Sequence, residues 1–469
     1  MSLIGGEILP TSLTVVSRTV PTRVEPSRRV LAVVGVGVAL GLMVVRVEGV
    51  IALVAPAVLG VLLLAALVNT LFGGSDQGVG RRIMWWTMVS FGAHLAFGMA
   101  ATIISRDIWY YLGTDGIGYD SVARAIVRHW ETGLPLPPVP GGKEGFYYML
   151  AGLYWLFGSY TVAGLAVNAT LAAGLVPVMS DLTNRLFGPA AARYAVPLVV
   201  AFPGLFLWTS QLMREAGMLF LLAVALNCAV RLVERVSPAP LLILTAALVL
   251  AFTFRAWVAL ILGVGLLVGI ALGHSQIASG FATGLGALFV VASVMLASGL
   301  GYAGYKEATS VNLKEAHIVR KDSAVAAQTG FEPEVDISST PSALRYLPRG
   351  IVSFVLGPFP WQLKGARQLP FLPDMVVWWA LLPSLWGGVI AARHRVGRRW
   401  LLVALPAAGT TLFMSLALGN FGVIARERLQ IVVLVIPLIA LGLAERAARR
   451  RAPEPVTDEP SPGVLVPQP

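Results

Sequence analysis

The stretch VIALVAPAVLGVLLLAALVNTLF, Val50 to Phe72, carries no charged residue across its 23 positions. A helix of about 20 mostly apolar residues is long enough to cross the hydrocarbon core of a bilayer. Similar apolar runs recur along the 469-residue chain, and they are continuous and do not alternate with polar residues. Because backbone groups inside a bilayer must be satisfied internally, continuous runs favour helices over a barrel. The sequence therefore predicts an all-α polytopic membrane protein.

The composition favours a membrane protein and argues against a nucleic-acid-binding one. Hydrophobic residues make up 57% of the chain and charged residues 13%, against about 25% charged residues in an ordinary soluble domain. The formal net charge is +11, but Lys and Arg occur in short clusters between apolar runs and do not form one basic face. Positive charge kept at the cytoplasmic ends of spans explains this pattern. We therefore expect a lipid bilayer as a partner and no nucleic acid.

The basic clusters also set the predicted topology of about twelve spans. A basic N-terminal tail and the Arg81-Arg82 turn are assigned to the cytoplasm, so three spans place the chain outside from Ser105 onward. The aromatic segment Glu144–Gly158 is short for a span, and treating it as an interfacial helix keeps the later basic clusters inside. Counting it as a span would exchange the predicted inside and outside positions of every later loop.

The chain is thereby divided into seven predicted parts. Within the second external loop, Leu347–Gln362 is too interrupted by Pro and Gly for a span and is predicted as a re-entrant or interfacial element. The parts are a cytoplasmic tail (1–29), three spans (30–104), an external loop with interfacial helices and the candidate catalytic acids (105–159), a core of spans (160–304), a second external loop (305–373), the C-terminal spans (374–447) and a disordered cytoplasmic tail (448–469).

The first external loop contains the candidate catalytic acids. The segment GTDGIGYD, Gly113 to Asp120, is followed by SVARAIVRHW, which has the pattern of an amphipathic surface helix. Its predicted apolar side comprises Val122, Ala125, Ile126 and Trp130, with Arg124, Arg128 and His129 elsewhere. A carboxylate at the start of such a helix can accept a proton from a hydroxyl nucleophile. Asp115 is the first candidate for this role and Asp120 the second.

Four arginines are predicted at the external ends of spans, on the same side as Asp115: Arg214, Arg255, Arg426 and Arg428. Snorkelling toward the interface explains any one of them. Guanidinium groups also bind phosphate oxygens bidentately. The functional interpretation, weighed evenly against snorkelling, is a site for an anionic lipid phosphate.

Metal chemistry has little support in the sequence. Cys228 is the only cysteine, and the five histidines show no paired spacing. Neither a disulfide within the chain nor a cysteine-based metal site is therefore expected. A divalent ion would need carboxylates or water as ligands, and metal binding stays unassigned.

Several features occur in an order that resembles a known family. An acid in the first large external loop is followed by an amphipathic helix, an aromatic interfacial segment and many spans. Tyr119 and Ala123 follow Asp115 at intervals of four residues, and the run from Tyr147 to Glu215 continues the likeness. This order is similar to that of polyprenyl-phosphate-dependent glycosyltransferases of the glycosyltransferase-C superfamily, in the branch of protein mannosyltransferases and aminoarabinose transferases. Gly116 departs from the family pattern, which often has Glu there, so no metal ligand is carried over.

The resemblance implies a specific reaction. Asp115 would act as general base on a hydroxyl of a glycan, lipid or protein acceptor, whose oxygen attacks the anomeric carbon of a sugar carried on polyprenyl phosphate, with inversion. The site would lie on the extracytoplasmic face of the plasma membrane, with no cofactor assigned and with a divalent metal ion left open. Arg255 and Arg426 best match family positions that hold the leaving phosphate. The full set of implied substrate-binding residues is Tyr119, Lys143, Arg214, Glu215, Arg255 and Arg426.

Two other classes of protein fit parts of the pattern. A transporter or flippase of lipid-linked sugars would also have arginines and many spans, but transporters favour charges near the bilayer midplane and internal repeats. A lipid-linked polysaccharide polymerase or ligase shares the outer-face site and has a large late loop, for which the loop from Lys306 to Pro373 is suitable.

Overall fold

The computed structural model describes residues 49–104, 114–274, 277–300, 306, 312–327, 329–363 and 368–451. Within these ranges the chain is mostly helical, and its only strand-like pairing is an isolated bridge between Gly330 and Asn420. Nine helices of the described ranges are long and apolar enough to cross a membrane. The all-α polytopic membrane fold predicted from the apolar runs is therefore confirmed at this level.

The bounds of the elements are as follows. The described α-helices are α1 (Val50–Phe72), α2 (Gln77–Met99), α3 (Thr114–Thr132), α4 (Glu144–Phe157), α5 (Thr161–Phe187), α6 (Pro189–Ala201), α7 (Pro203–Thr209), α8 (Glu215–Glu234), α9 (Pro238–Phe254), α10 (Ala256–Gly273), α11 (Ile277–Ala297), α12 (Leu313–Ala326), α13 (Thr340–Leu356), α14 (Phe371–Arg395), α15 (Leu401–Ala417) and α16 (Phe421–Arg451). A π turn, Ala100–Ile104, extends α2, and 3-10 turns lie at Pro360–Gln362 and Gly397–Trp400.

The candidate spans among these helices are α1, α2, α5, α8, α10, α11, α14, α15 and α16. The pair α6 and α7, bent by 51°, forms a tenth candidate, and α9 is a shorter apolar helix of 17 residues. The first of the three spans predicted within residues 30–104, an apolar run at residues 30–45, lies outside the described residues, as does the predicted tail 1–29. The total of about twelve spans therefore stays a prediction.

Helix α5 lies at the centre of the bundle, and 83% of its most apolar 18-residue stretch is buried. Helices α1, α2, α6 and α8 all pack against it. Small residues allow the close approach: a Cβ on Gly98 of α2 would lie 2.2 Å from the carbonyl oxygen of Ser210, and one on Gly164 would lie 2.4 Å from Leu212. Glycines at such contacts are typical of helix packing in membranes.

A proline produces the bend between α6 and α7. Pro203 has no N–H to continue the helix, and it forces the residue before it into an extended conformation. Phe202 accordingly adopts φ −70° and ψ 117°. A second break at residues 210–214 follows α7 and brings Arg214 to the start of α8.

Helices α3 and α4 pack against each other, and neither is among the candidate spans of the described residues. With 14 residues, α4 is about 21 Å long, below the roughly 30 Å of the hydrocarbon core. The buried face of α3 agrees with the predicted one only in part: Ile126 is buried as predicted, but Ala123 and Val127 are buried too, and Trp130 is 44% exposed. The reason is the contact of Tyr119 with the aromatic rings of α4, which fixes the rotation of α3.

The predicted interrupted element Leu347–Gln362 begins earlier in the structure. Helix α13 starts at Thr340, because the Ser339 hydroxyl and Ser342 form a capping box there. The helix accommodates Pro348 and ends before Gly357.

Buried contacts anchor this region to the turn between α15 and α16. Arg320 of α12 donates from Nη1 to the Leu418 carbonyl at 2.6 Å, and its guanidinium lies 4.4 Å from the ring centroid of Tyr346. Phe331 stacks on Phe421 with ring centroids 4.2 Å apart. Contacts with α12 and with Phe331 therefore hold the start of α16 in place.

Candidate functional site

The predicted catalytic acid, Asp115, is paired with an arginine 311 positions later in the chain. Arg426 Nη1 donates a hydrogen bond to Asp115 Oδ2 at 2.6 Å. The Asp115 side chain is 44% exposed, whereas that of Arg426 is 14% exposed. One carboxylate oxygen is thus held by a largely buried guanidinium, while much of the carboxylate stays accessible.

Glu215, the first residue of α8, lies between two of the predicted arginines. Its Oε1 is 3.1 Å from Arg426 Nε and 3.5 Å from Arg255 Nη2. Arg255 connects α9 to α10, and its Nη1 also contacts the carboxylate of Glu427 in α16. The starts of α8, α10 and α16 therefore meet in one buried ion-pair network next to Asp115.

Two further cations lie close to this network. The charges of Lys143 and Arg214 both act on Asp115. Neither has a carboxylate within ion-pair distance among the described residues, and Arg214 donates only to the Phe254 carbonyl, at 3.3 Å. The Nε of Arg214 is buried and has no hydrogen-bond partner in the described part of the chain.

We call these side chains the Asp115 cluster, with the members Asp115, Lys143, Arg214, Glu215, Arg255, Arg426 and Glu427. Four cations face three carboxylates, so the cluster carries surplus positive charge. A buried charge without a partner is costly. An anionic ligand would supply the missing partner at the accessible side of the cluster.

The charges of the cluster keep Asp115 ionised. Burial acts to raise the pKa of Asp115, but Arg426 opposes it and, with Lys143 and Arg214, holds that pKa below its ordinary value of 3.8. Burial, reinforced by Arg214, lowers the pKa of Lys143. At neutral pH Asp115 is therefore a carboxylate that can accept a hydrogen bond or a proton.

This ionisation gives a pH prediction. Because the folded-state pKa of Asp115 is lowered, the stabilisation from its charge is present above the ordinary pKa and is lost as pH falls through the folded-state value. We expect Asp115 to cause no loss of activity or stability down to about pH 5. In Arg426→Gln the acid limb should move to higher pH, which a pH profile of turnover and of the melting midpoint measures. An unmoved limb in that variant would contradict the pairing.

Tyr119 and Asp120 have structural contacts beside the cluster. Tyr119 is 2% exposed and its ring centroid lies 4.9 Å from Phe146, and burial raises its pKa to about 12. Asp120 accepts hydrogen bonds from Arg124 Nε at 2.8 Å, from Thr161 Oγ1 at 3.2 Å and from the Tyr154 hydroxyl. Asp120 thereby joins α3 to α4 and to the start of α5, and its oxygens are satisfied by these donors.

Arg428, predicted on the same side as the other arginines, belongs to a different contact. Its Nη2 lies 3.1 Å from Asp374 Oδ2, and its Nη1 donates to the carbonyls of Phe354 and Gly357. It is 1% exposed. Arg428 thus joins α16 to α14 and to the end of α13, outside the Asp115 cluster.

Two residues of the site were missed by sequence reasoning. Glu427 stands in the run Arg426-Glu427-Arg428, where an acid between two arginines at the start of a span is a usable signal. Asn168, in α5, donates from Nδ2 to the carbonyls of Gln211 at 2.6 Å and Met213 at 2.7 Å. It holds the non-helical turn that leads to Arg214.

Asn168→Leu should therefore disturb the site from within the bundle. It leaves two buried carbonyls without their donor, at a cost of about 1–3 kcal/mol of stability, and it frees the turn before Arg214. Thr170→Val is the matched control, because within the described part of the chain the Thr170 hydroxyl donates only to the Ala166 carbonyl of the same helix. We expect a lower melting midpoint for Asn168→Leu than for Thr170→Val, and equal midpoints would contradict the role.

No group of three or more His, Cys, Asp or Glu side chains suited to a metal ion occurs among the described residues. The carboxylates of the Asp115 cluster instead face guanidinium groups. No protein-family model matches the chain, and no curated protein matches it in sequence. The resemblance to glycosyltransferase-C enzymes therefore stays a hypothesis, and the geometry of the Asp115 cluster is independent of it.

Proposed function

We propose that the protein is a membrane glycosyltransferase that moves a sugar from a polyprenyl-phosphate donor to an acceptor hydroxyl, with inversion. Its site would lie on the outer face of the plasma membrane. The observation that carries the proposal is the Asp115 cluster, in which an accessible, ionised carboxylate lies beside surplus positive charge at the ends of membrane-length helices.

The proposed reaction uses both halves of the cluster. The acceptor oxygen forms a bond to the anomeric carbon and passes its proton to Asp115, while the bond from that carbon to the phosphate oxygen breaks. The electron pair leaves with the lipid phosphate, which gains negative charge. Preorganised cations at the position of a developing charge are commonly a large catalytic contribution.

The contacts divide the four cations into two pairs with different proposed roles. Arg255 and Arg426 already face Glu215 and Glu427. Lys143 and Arg214 have no carboxylate within ion-pair distance among the described residues. We therefore assign first contact with the phosphate to Lys143 and Arg214, and assign Arg255 and Arg426 to orienting Asp115 and stabilising the developing charge.

The position of charge favours an enzyme over a transporter. In the described candidate spans, Asp, Glu, Lys and Arg residues lie toward the helix ends, as Glu215 and Glu234 do at the two ends of α8. Transporters commonly place charged groups near the bilayer midplane. A site at one membrane surface suits a reaction between a lipid phosphate and a water-borne acceptor.

The test is an assay of purified protein in lipid nanodiscs against a panel of polyprenyl-phosphate sugars. We expect release of polyprenyl phosphate with at least one donor, in the presence of hydroxyl acceptors. Movement of an intact lipid-linked sugar across proteoliposomes, without cleavage, would instead indicate a flippase. A ladder of extended products would indicate a polymerase.

The outer-face location makes a separate prediction about labelling in intact cells. In a Cys228→Ser background, Gly118→Cys and Thr340→Cys should react with an impermeant thiol reagent, because both positions are exposed and predicted outside. Ala190→Cys, exposed at the start of α6, should react only after permeabilisation. Labelling of Ala190→Cys in intact cells would overturn the proposed orientation.

A further inference from the structure

A second polar feature lies at the opposite ends of the helices from the Asp115 cluster. A cavity of about 590 Å³ is lined by the end of α1, the first half of α2, the end of α5 and residues Pro189 to Pro197 of α6. Helix α5 begins at Thr161, which contacts Asp120, and lines this cavity at Ser180 and Asn184. At 1.5 Å per residue, Thr161 and Asn184 are about 35 Å apart along α5.

Two arginines lie at the rim of the cavity. Arg82 and Arg193 line it, both are exposed, and neither makes a side-chain ion pair or hydrogen bond within the described part of the chain. Asn184 adds a polar group at the same rim. No acidic side chain of the described residues lines the cavity. The rim therefore presents positive charge that no described residue neutralises.

Apart from Ser75 and Ser180, the remainder of the wall is apolar. Ile83, Trp86 and Val196 line the cavity between the arginines and the bundle. Pro189, the first residue of α6, also lines it, so the positive end of that helix dipole adds to the charge at the rim. A cationic rim above an apolar wall matches a molecule with a phosphate at one end and hydrocarbon at the other.

We propose that this cavity binds an anionic phospholipid of the cytoplasmic leaflet, with its phosphate between Arg82 and Arg193 and an acyl chain along Ile83, Trp86 and Val196. Basic pockets between membrane helices commonly receive anionic headgroups in this way. The assignment to the cytoplasmic leaflet follows from the clustering of Arg81, Arg82 and Arg193 at this membrane face. The site is independent of the proposed glycosyl transfer.

The experiment measures the melting midpoint of the purified full-length protein in detergent during titration with phosphatidylglycerol or phosphatidylcholine. Phosphatidylglycerol should raise the midpoint and phosphatidylcholine should not. One arginine near a lipid phosphate contributes about fivefold in affinity, so Arg82→Gln with Arg193→Gln should raise the half-saturating concentration about 25-fold. Both arginines are exposed, so the double variant should fold normally.

Arg81→Gln is the matched control, because Arg81 is an equally exposed neighbour that does not line the cavity. It should leave the lipid response unchanged. An undiminished response in the double variant, or an equal loss in Arg81→Gln, would overturn the site. A full response to inorganic phosphate alone would show a site for a soluble anion and would overturn the lipid proposal.

Discussion

Asp115→Asn is expected to leave the protein folded and to lower turnover about 10²- to 10⁴-fold, the usual range for loss of a general base. Asn has nearly the same shape, and the side chain is 44% exposed, so packing around it should be preserved. What is removed is the negative charge that accepts the proton and faces Arg426. The measurement is release of polyprenyl phosphate per folded molecule, with folding followed by the melting midpoint.

Asp120→Asn is the matched control, because it removes the second candidate acid, five positions away on the same helix. Asp120 accepts from three donors and its side chain is 15% exposed, so its variant should lose about 1–3 kcal/mol of stability. Turnover per folded molecule should change little. Retained turnover in Asp115→Asn, or an equal loss of turnover in folded Asp120→Asn, would overturn the assignment of the base.

The helices could be predicted from the sequence where the bilayer alone determines them. The predicted span Val50 to Phe72 has the same bounds as α1, because an uncharged run of that length has no other favourable environment. The apolar run from Val162 to Val178 predicts a span that is shorter than α5, which continues to Phe187. The polar end of α5 stays helical because Asp181 is paired, with its Oδ2 2.6 Å from Arg231 Nη2 of α8. Hydropathy alone does not predict this contact between α5 and α8.

Most residues of the site could be predicted from the sequence, but not which arginine pairs with which acid. The sequence predicts Arg214, Arg255, Arg426 and Arg428 on the same side as Asp115, and the structure brings the first three of them to the Asp115 cluster. The pattern of charges alone does not separate Arg426 from Arg428, since the two differ only in helix phase, and only the family resemblance selects Arg426. Two residues correspond to about 200° around an α-helix, and only the packing of α14 and α3 determines which arginine faces which acid.

Because Arg426 and Arg428 face different sides of α16, their substitutions should have different effects on turnover. Arg426→Gln should lower turnover about 10²- to 10³-fold, as expected when a donor to the developing charge is lost, because Arg426 holds Asp115 and Glu215 at once. Combined with Asp115→Asn, its effect should be strongly less than additive, since the two side chains act through one contact. The measurement is a double-mutant cycle on turnover per folded molecule.

Arg428 provides the matched control on the same helix. Arg428→Gln leaves Asp374 buried without its partner, so it should cost about 3–5 kcal/mol of stability, and adding Asp374→Asn should restore part of that loss. Turnover per folded molecule should stay near that of the unmodified protein in the Arg428→Gln, Asp374→Asn pair, since neither side chain contacts the Asp115 cluster. If this pair lost as much turnover as Arg426→Gln, the effect of Arg426 would reflect the packing of α16 as a whole, and its assignment to the reacting phosphate and to Asp115 would be wrong.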